Sequence, residues 1–274
     1  MPIKTILLHL NNDPQLDARI ETVLGLAVEH KAHVKALYTI ARVTIPTSFM
    51  GYVPPEFIEQ AHSVEKENAA KATEKLQKLA SRVDVSLEIV VEEGYAPDVI
   101  KSHALAVDLV VVGQGDPDAE NNTQSRYIAE ELVIGSSCPV LVIPFTGKYG
   151  NFGDHIVVGW NNSREASRAL HEAMPFLEKA KKVTLLSINA TEDEGEETAQ
   201  ILAHLKRHGI TAEFKSGAWP DLSVGDAILD ALVDYSANML VMGAYGHSRL
   251  REMILGGATN TILNHMTAPV LFAH

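Results

Sequence analysis

The chain has 274 residues, 46% of them hydrophobic and 21% charged, which predicts about two domains with ample material for a core. Its 23 basic and 35 acidic side chains leave a net charge of −12, and no basic run exceeds the pairs Lys181-Lys182 and Lys206-Arg207, so no nucleic-acid partner is expected. The lone Cys138 excludes an internal disulfide and any multi-cysteine metal centre; with no apolar run long enough to span a membrane and an early polar turn at Lys4, a cytosolic protein is expected.

In chain order, short apolar runs alternate with longer helical patterns. Strands are predicted at Thr5–Leu10, His33–Thr39, Ser86–Val91, Leu109–Gly113 and Val140–Pro144. Helices fall between them at Gln15–Glu29, Phe57–Ser81, Ala96–Ala106 and Tyr127–Ile134. Residues 43–62 hold Pro46, Gly51, Pro54 and Pro55; Met50, Tyr52 and Phe57 make this stretch apolar for a loop, as for packing on a neighbour or a lid. A glycine-rich linker follows at 147–153. Beyond it, strands are predicted at Ile156–Trp160, Lys182–Ile188, Thr211–Lys215, Met239–Gly243 and Val270–Ala273, with helices at Arg164–Lys179, Glu197–His208, Leu222–Tyr235 and Thr259–His265. The strands are continuous Val/Ile/Leu runs, the pattern of a parallel sheet covered on both faces. Strand–helix alternation then gives doubly wound α/β domains.

The chain is also written twice. Ile6–Asn12 matches Ile156–Asn162, 150 residues on, whereas Asp108–Gly113 matches Asn238–Gly243 and Cys138–Val142 matches Ala268–Phe272, both at 130. The offset falls because the first copy carries an extra segment, placed within 43–62. Two domains follow, residues 1–147 and 154–274. In such domains ligands sit beyond the carboxyl ends of the strands, so the residues after the first and fourth strands of each copy are the places to look.

In the second copy the fourth strand runs into Gly243-Ala244-Tyr245-Gly246-His247, and Gly256-Gly257 precede the last helix. Glycines leave backbone N–H groups bare, and a helix N-terminus beside them favours an anion. Arg249 and Arg251 add charge. No Gly-Lys-Ser/Thr follows, so this is not a Walker loop, and the spacing is not that of a Rossmann fingerprint. A flexible connection closing a strand–helix unit fits the glycines equally well.

The Gly-x2-Gly-x9-Gly spacing after strand four, the Ala-Pro-Val fifth strand and the Asn161-Asn162-Ser163 turn together resemble the universal stress protein family, in its tandem form, over nearly the whole chain. The resemblance implies a five-stranded parallel sheet of order 3-2-1-4-5 in each domain and pairing of the fifth strands, within one chain or between chains: an internal pseudo-dimer, with a homodimer of chains expected. Part of the family binds ATP. Carried over residue by residue, Gly243, Gly246 and Gly256 match the phosphate-loop glycines. Gly257 stands where the family has Ser or Thr, with Thr259 able to supply a hydroxyl two residues later. Asn161 stands where nucleotide-binding members have Asp. Trp160 is expected to pack, and Ile188 borders a base pocket or belongs to the core. In the first copy Asp116, Asp118 and Glu120 occupy the would-be phosphate loop, Arg126-Tyr127 fill the glycine-serine slot, and Asn11 replaces the Asp, so that copy reads as degenerate.

Other signals are weaker. His204 and His208 lie four apart on a predicted helix, a spacing that can bind zinc, but no third ligand stands at motif spacing and a solvated helix face is expected. Cys138 reads as a buried small residue. His247, next to the glycine loop, is the one titratable group near neutrality there, and no general base for attack on a γ-phosphate is evident. Three readings stay open: a stress-response protein binding ATP, with magnesium, in its second domain as a non-catalytic or slowly hydrolysing switch; a nucleotide-free scaffold; and a binder of another small metabolite between the domains.

Overall fold

A computed structural model describes residues 2–41, 54–115, 123–189, 194–244 and 257–274. The first half of the chain runs β1 (Thr5–Leu10), α1 (Leu16–His30), β2 (His33–Ile40), α2 (Pro55–Ala80), β3 (Leu87–Glu93), α3 (Ala96–Ala104), β4 (Leu109–Gly113), α4 (Thr123–Gly135) and β5 (Val140–Ile143). The second half runs β6 (His155–Gly159), α5 (Arg164–Glu172), α6 (Met174–Leu177), β7 (Lys182–Ile188), α7 (Glu194–Arg207), β8 (Ala212–Gly217), α8 (Val224–Asp234), β9 (Met239–Gly243), α9 (Gly257–His265) and β10 (Val270–Ala273).

The ten strands among the described residues form one sheet, ordered β3-β2-β1-β4-β5-β10-β9-β6-β7-β8. Each half is parallel and ordered as expected. The halves meet where β5 and β10 pair antiparallel, Leu141 opposite Leu271 and Val140 opposite Phe272. Both joining strands are buried at every position, which is why they are runs of Val, Leu, Ile and Phe without polar alternation. Helices cover both faces. One core gathers Ile6, Leu8 and Leu10 with α1, α2 and, across the junction, α5 and α6. The other gathers Leu7, Val110 and Val112 with α3, α4, α8 and α9. Each core runs through both halves.

The repeat is repeated in its hydrogen bonds. The Asp108 carboxylate accepts from the Lys4 and Thr5 amides at 2.7 and 2.8 Å and fixes the start of β1. Asn238, its counterpart, accepts from the Gly153 and His155 amides at 3.1 Å and fixes the start of β6. The sequence-predicted helix 164–179 divides into α5 and α6. Pro175 has no N–H for the helical ladder and its ring crowds the preceding turn, so the chain breaks at Ala173. Part of the first half's extra length lies in α2, which has 26 residues against 14 in α7; residues 43–53 of the predicted extra segment, Met50 and Tyr52 among them, lie outside the described residues. Cys138 is half-buried, and burial pushes its thiol up to about 11, so it is not a poised nucleophile. None of the described helices is long and apolar enough to cross a membrane.

One buried side chain ties the halves together beside the strand junction. Gln114, 4% exposed, donates from Nε2 to the Leu263 carbonyl at 2.9 Å, and its Oε1 accepts from the Phe145 amide at 3.1 Å. Its counterpart in the repeat is Ala244, so the latch exists once. Replacing Gln114 with Leu removes both bonds, leaving the buried Leu263 carbonyl and the part-buried Phe145 amide without these partners. Urea denaturation should show a loss of about 1–3 kcal/mol.

Candidate functional site

The carboxyl ends of β6 and β9 define the rim of the second half, where the strand order reverses. Of the residues singled out from sequence, the structure describes Asn161, Ile188, Gly243, Gly257 and Thr259; Gly246, His247 and Gly256 lie outside the described residues, as do Arg249 and Arg251. Asn161 follows β6 and is exposed; its Oδ1 accepts from the Ser163 hydroxyl at 2.6 Å and the Ser163 amide at 3.3 Å. Ser163 in turn caps α5, its hydroxyl accepting from the Ala166 amide at 3.1 Å. The turn therefore presents a capped helix N-terminus next to β9. Asn162 takes φ of 53°, a left-handed conformation that Asn tolerates, and accepts from the Trp160 indole at 2.7 Å. Trp160 is 5% exposed and packs in the core.

Gly243 ends β9 against the first turn of α5. A Cβ there would collide with the Glu165 backbone and stand 2.6 Å from the Ala166 nitrogen. Glycine at this position thus permits helix and strand to approach, a role distinct from offering its amide to an anion. Gly257 opens α9; among the described residues nothing lies within 4 Å of where a Cβ would stand on it, and its carbonyl accepts from the Thr261 hydroxyl at 2.9 Å. Thr259 is 4% exposed. Ile188, at the end of β7, is half-buried against the α8/α9 core. Trp219, not singled out from sequence, joins it: its indole lies against Gly217 at the end of β8, and its amide donates to Asn189 at 3.0 Å. Its signal was an aromatic residue directly past a strand's carboxyl end, where this fold class places ligands.

The same place in the first half is filled from within. Arg19 on α1 is 1% exposed and pairs with Asp13 at 2.8 Å; its other amino group donates to Asn11, the counterpart of Asn161. The guanidinium lies against Gly113, where a Cβ would collide with it. Beside it on β1, His9 is 3% exposed, with Nε2 3.3 Å from the Thr39 hydroxyl. Burial first, then the Arg19 charge, push its ring down to about 3. In the repeat alignment Arg19 corresponds to Ala169 and Asp13 to Ser163. The second half carries neither charge. Sequence reading missed Arg19, although an arginine on the apolar stripe of a predicted helix, opposite an alanine in the other copy, was visible.

A model of the universal stress protein family matches residues 2–144 and 221–274, more than half of the chain, and the chain belongs to that family. It is similar to the universal stress protein YxiE of Bacillus subtilis (strain 168), 25% identical over 129 residues that cover 45% of this chain and 87% of that one. Among solved structures it is similar to a universal stress protein from Archaeoglobus fulgidus DSM 4304, with a TM-score of 0.76, 15% identity, and 98% of this chain and 95% of that one covered. A protein of unknown function from Pseudomonas aeruginosa PAO1 matches with a TM-score of 0.62 at 16% identity, over 98% of this chain and 92% of that one. At these identities the structural likeness is one of fold.

The plug makes two predictions. Arg19→Ala leaves the Asp13 carboxylate, 15% exposed, without its counter-charge and should lower stability by up to about 3–5 kcal/mol, whereas the double variant Arg19→Met, Asp13→Ala should recover most of it; urea midpoints that do not separate the two would refute this account. His9 must stay neutral in the folded chain. Its contribution is intact above pH 6.5, the ordinary histidine value, and is lost as pH falls towards 3, at roughly 1.4 kcal/mol per unit. Stability measured across that window should fall less steeply in His9→Asn.

Proposed function

We propose that the second half binds an adenine nucleotide, ATP with magnesium, at the carboxyl ends of β6 and β9, and that the first half serves as its structural partner. The two units are residues 1–147 and 154–274. The observation that carries the reading is the contrast between the two rims: Arg19 and Asp13 occupy one, and Ala169 and Ser163 stand in their places in the other. In the second half the phosphates would meet backbone amides of Gly246, Gly256 and Gly257, and His247 beside them, near the N-termini of α5 and α9. Gly243 lets α5 come close enough to matter. Asn161 has an amide group left for the ribose, Thr259 a hydroxyl near the loop's end, and Ile188 with Trp219 apolar surface for the base. In this reading the site is a switch that changes shape or partner when occupied, with at most slow hydrolysis. The chain then acts as a cytoplasmic stress-response protein, as a homodimer.

A second reading, the nucleotide-free scaffold, is favoured by two observations: Asn161 already spends its oxygen on Ser163, and Thr259 is 4% exposed. Mass spectrometry of small molecules released from freshly purified protein, beside a thermal-shift titration with Mg-ATP, separates the readings. A ligand at 100 times its Kd stabilises by about 2.7 kcal/mol, enough to raise the melting temperature visibly. One nucleotide per chain, lost in Gly256→Val with the fold intact, is the expected result. Two per chain would overturn the plugged first half, and no shift would leave the scaffold.

A further inference from the structure

We propose that His171, His204 and His208 form a binding site for a borderline transition-metal cation of the zinc class, on the helical layer away from the nucleotide rim. Along the sequence His204 and His208 stand at chelating spacing, four residues apart, His204 in the last turn of α7 and His208 directly after its end. The fold supplies the third imidazole. It brings the last turn of α5 beside α7, and the His171 ring centre lies 5.2 Å from that of His204, which lies 4.7 Å from that of His208. With zinc–nitrogen distances of about 2.0–2.1 Å, two imidazoles on one tetrahedral ion hold their ring centres roughly 5 Å apart.

The hydrogen bonding of the rings fits ligation. His171 donates from Nδ1 to the Ser167 carbonyl at 2.7 Å, which places the proton on that nitrogen and leaves the Nε2 lone pair free. A metal-bound histidine uses the same arrangement, its second nitrogen anchored on a carbonyl. His204 Nε2, in the middle of the three, is covered from solvent without a hydrogen-bond partner among the described residues. A buried nitrogen left unpaired is costly, and a metal ion is one group that satisfies it. Among the described residues no three ligand side chains already surround a common point. The rings are tilted on one another by 49° and 60°, so the ion gathers them by turning the two exposed rings, His171 and His208, about the fixed central one. Nitrogen ligands select zinc, nickel or copper over magnesium or calcium. The site is therefore chemically distinct from any magnesium that accompanies a nucleotide. Of the neighbouring charges, Arg168 is held by Glu172 at 3.9 Å, while Arg207 on α7 opposes a cation; the chain's net charge of −12 favours one.

Calorimetric titration of the full, tag-free chain with zinc sulfate, without nucleotide, tests this. One ion per chain is expected. His171→Gln, His204→Gln and His208→Gln should each weaken binding by at least about tenfold, and for His171→Gln and His208→Gln, whose rings are exposed, the metal-free melting temperature should be unchanged. Cobalt(II) in place of zinc should give the intense visible absorption of a tetrahedral site, and Gly256→Val should leave both readouts as they are. Absence of binding, or an affinity that His171→Gln does not change, overturns the three-histidine site.

Discussion

The pairing of β5 with β10 is the constraint on which the molecule depends. Each is only four residues long, apolar throughout and buried on both faces. Left at the edge of a five-stranded sheet, either would present unpaired backbone groups and bare apolar side chains, a template for aggregation. Joined to each other they become the centre of a ten-stranded sheet. The helical layers follow from the junction, since both cores pass across it.

Because that pairing is antiparallel, the strands of the two halves run in opposite directions. Their carboxyl ends, where ligands of this fold class bind, therefore lie at opposite edges of the sheet. Each rim has been free to diverge without disturbing the other. The scaffold bonds of the repeat are kept, Asp108 and Asn238 performing one task in two chemistries. The rim residues are not kept: a charged cluster of Arg19 and Asp13 with Asn11 closes one side, and the small Ala169 and Ser163 stand at the places of the two charges on the other. Buried charge is a weak source of net stability. Its place here is better understood as occupying space that the second half leaves to other groups.

Side chains that join the halves are asymmetric in the same way. Gln114 reaches from the first half to α9, and Ala244 makes no matching bond with α4. Lys179, after α6, pairs with Glu29 on α1 at 3.0 Å, and His30 stacks edge-on against Phe176. Two copies of one fold have thus become one unit whose halves are no longer interchangeable, which fits membership of the universal stress protein family in tandem form.

The sequence by itself determined the strands, the strand order through family resemblance, and the duplication. Those features are carried by local patterns: apolar runs, period and spacing. It misjudged the helix at 164–179, where Pro175 outweighed a continuous amphipathic stripe. Tertiary structure alone decided what lies far apart along the chain but close in space. Arg19 meets Gly113 only because α1 crosses the end of β4; Gly243 is held to glycine by a helix some 80 residues earlier; and His171 reaches His204 only when α5 and α7 lie side by side. Periodicity reports which face of an element is buried, but not which neighbour buries it. For that reason the fold was legible from the residues, and the charge plug and the third histidine were not.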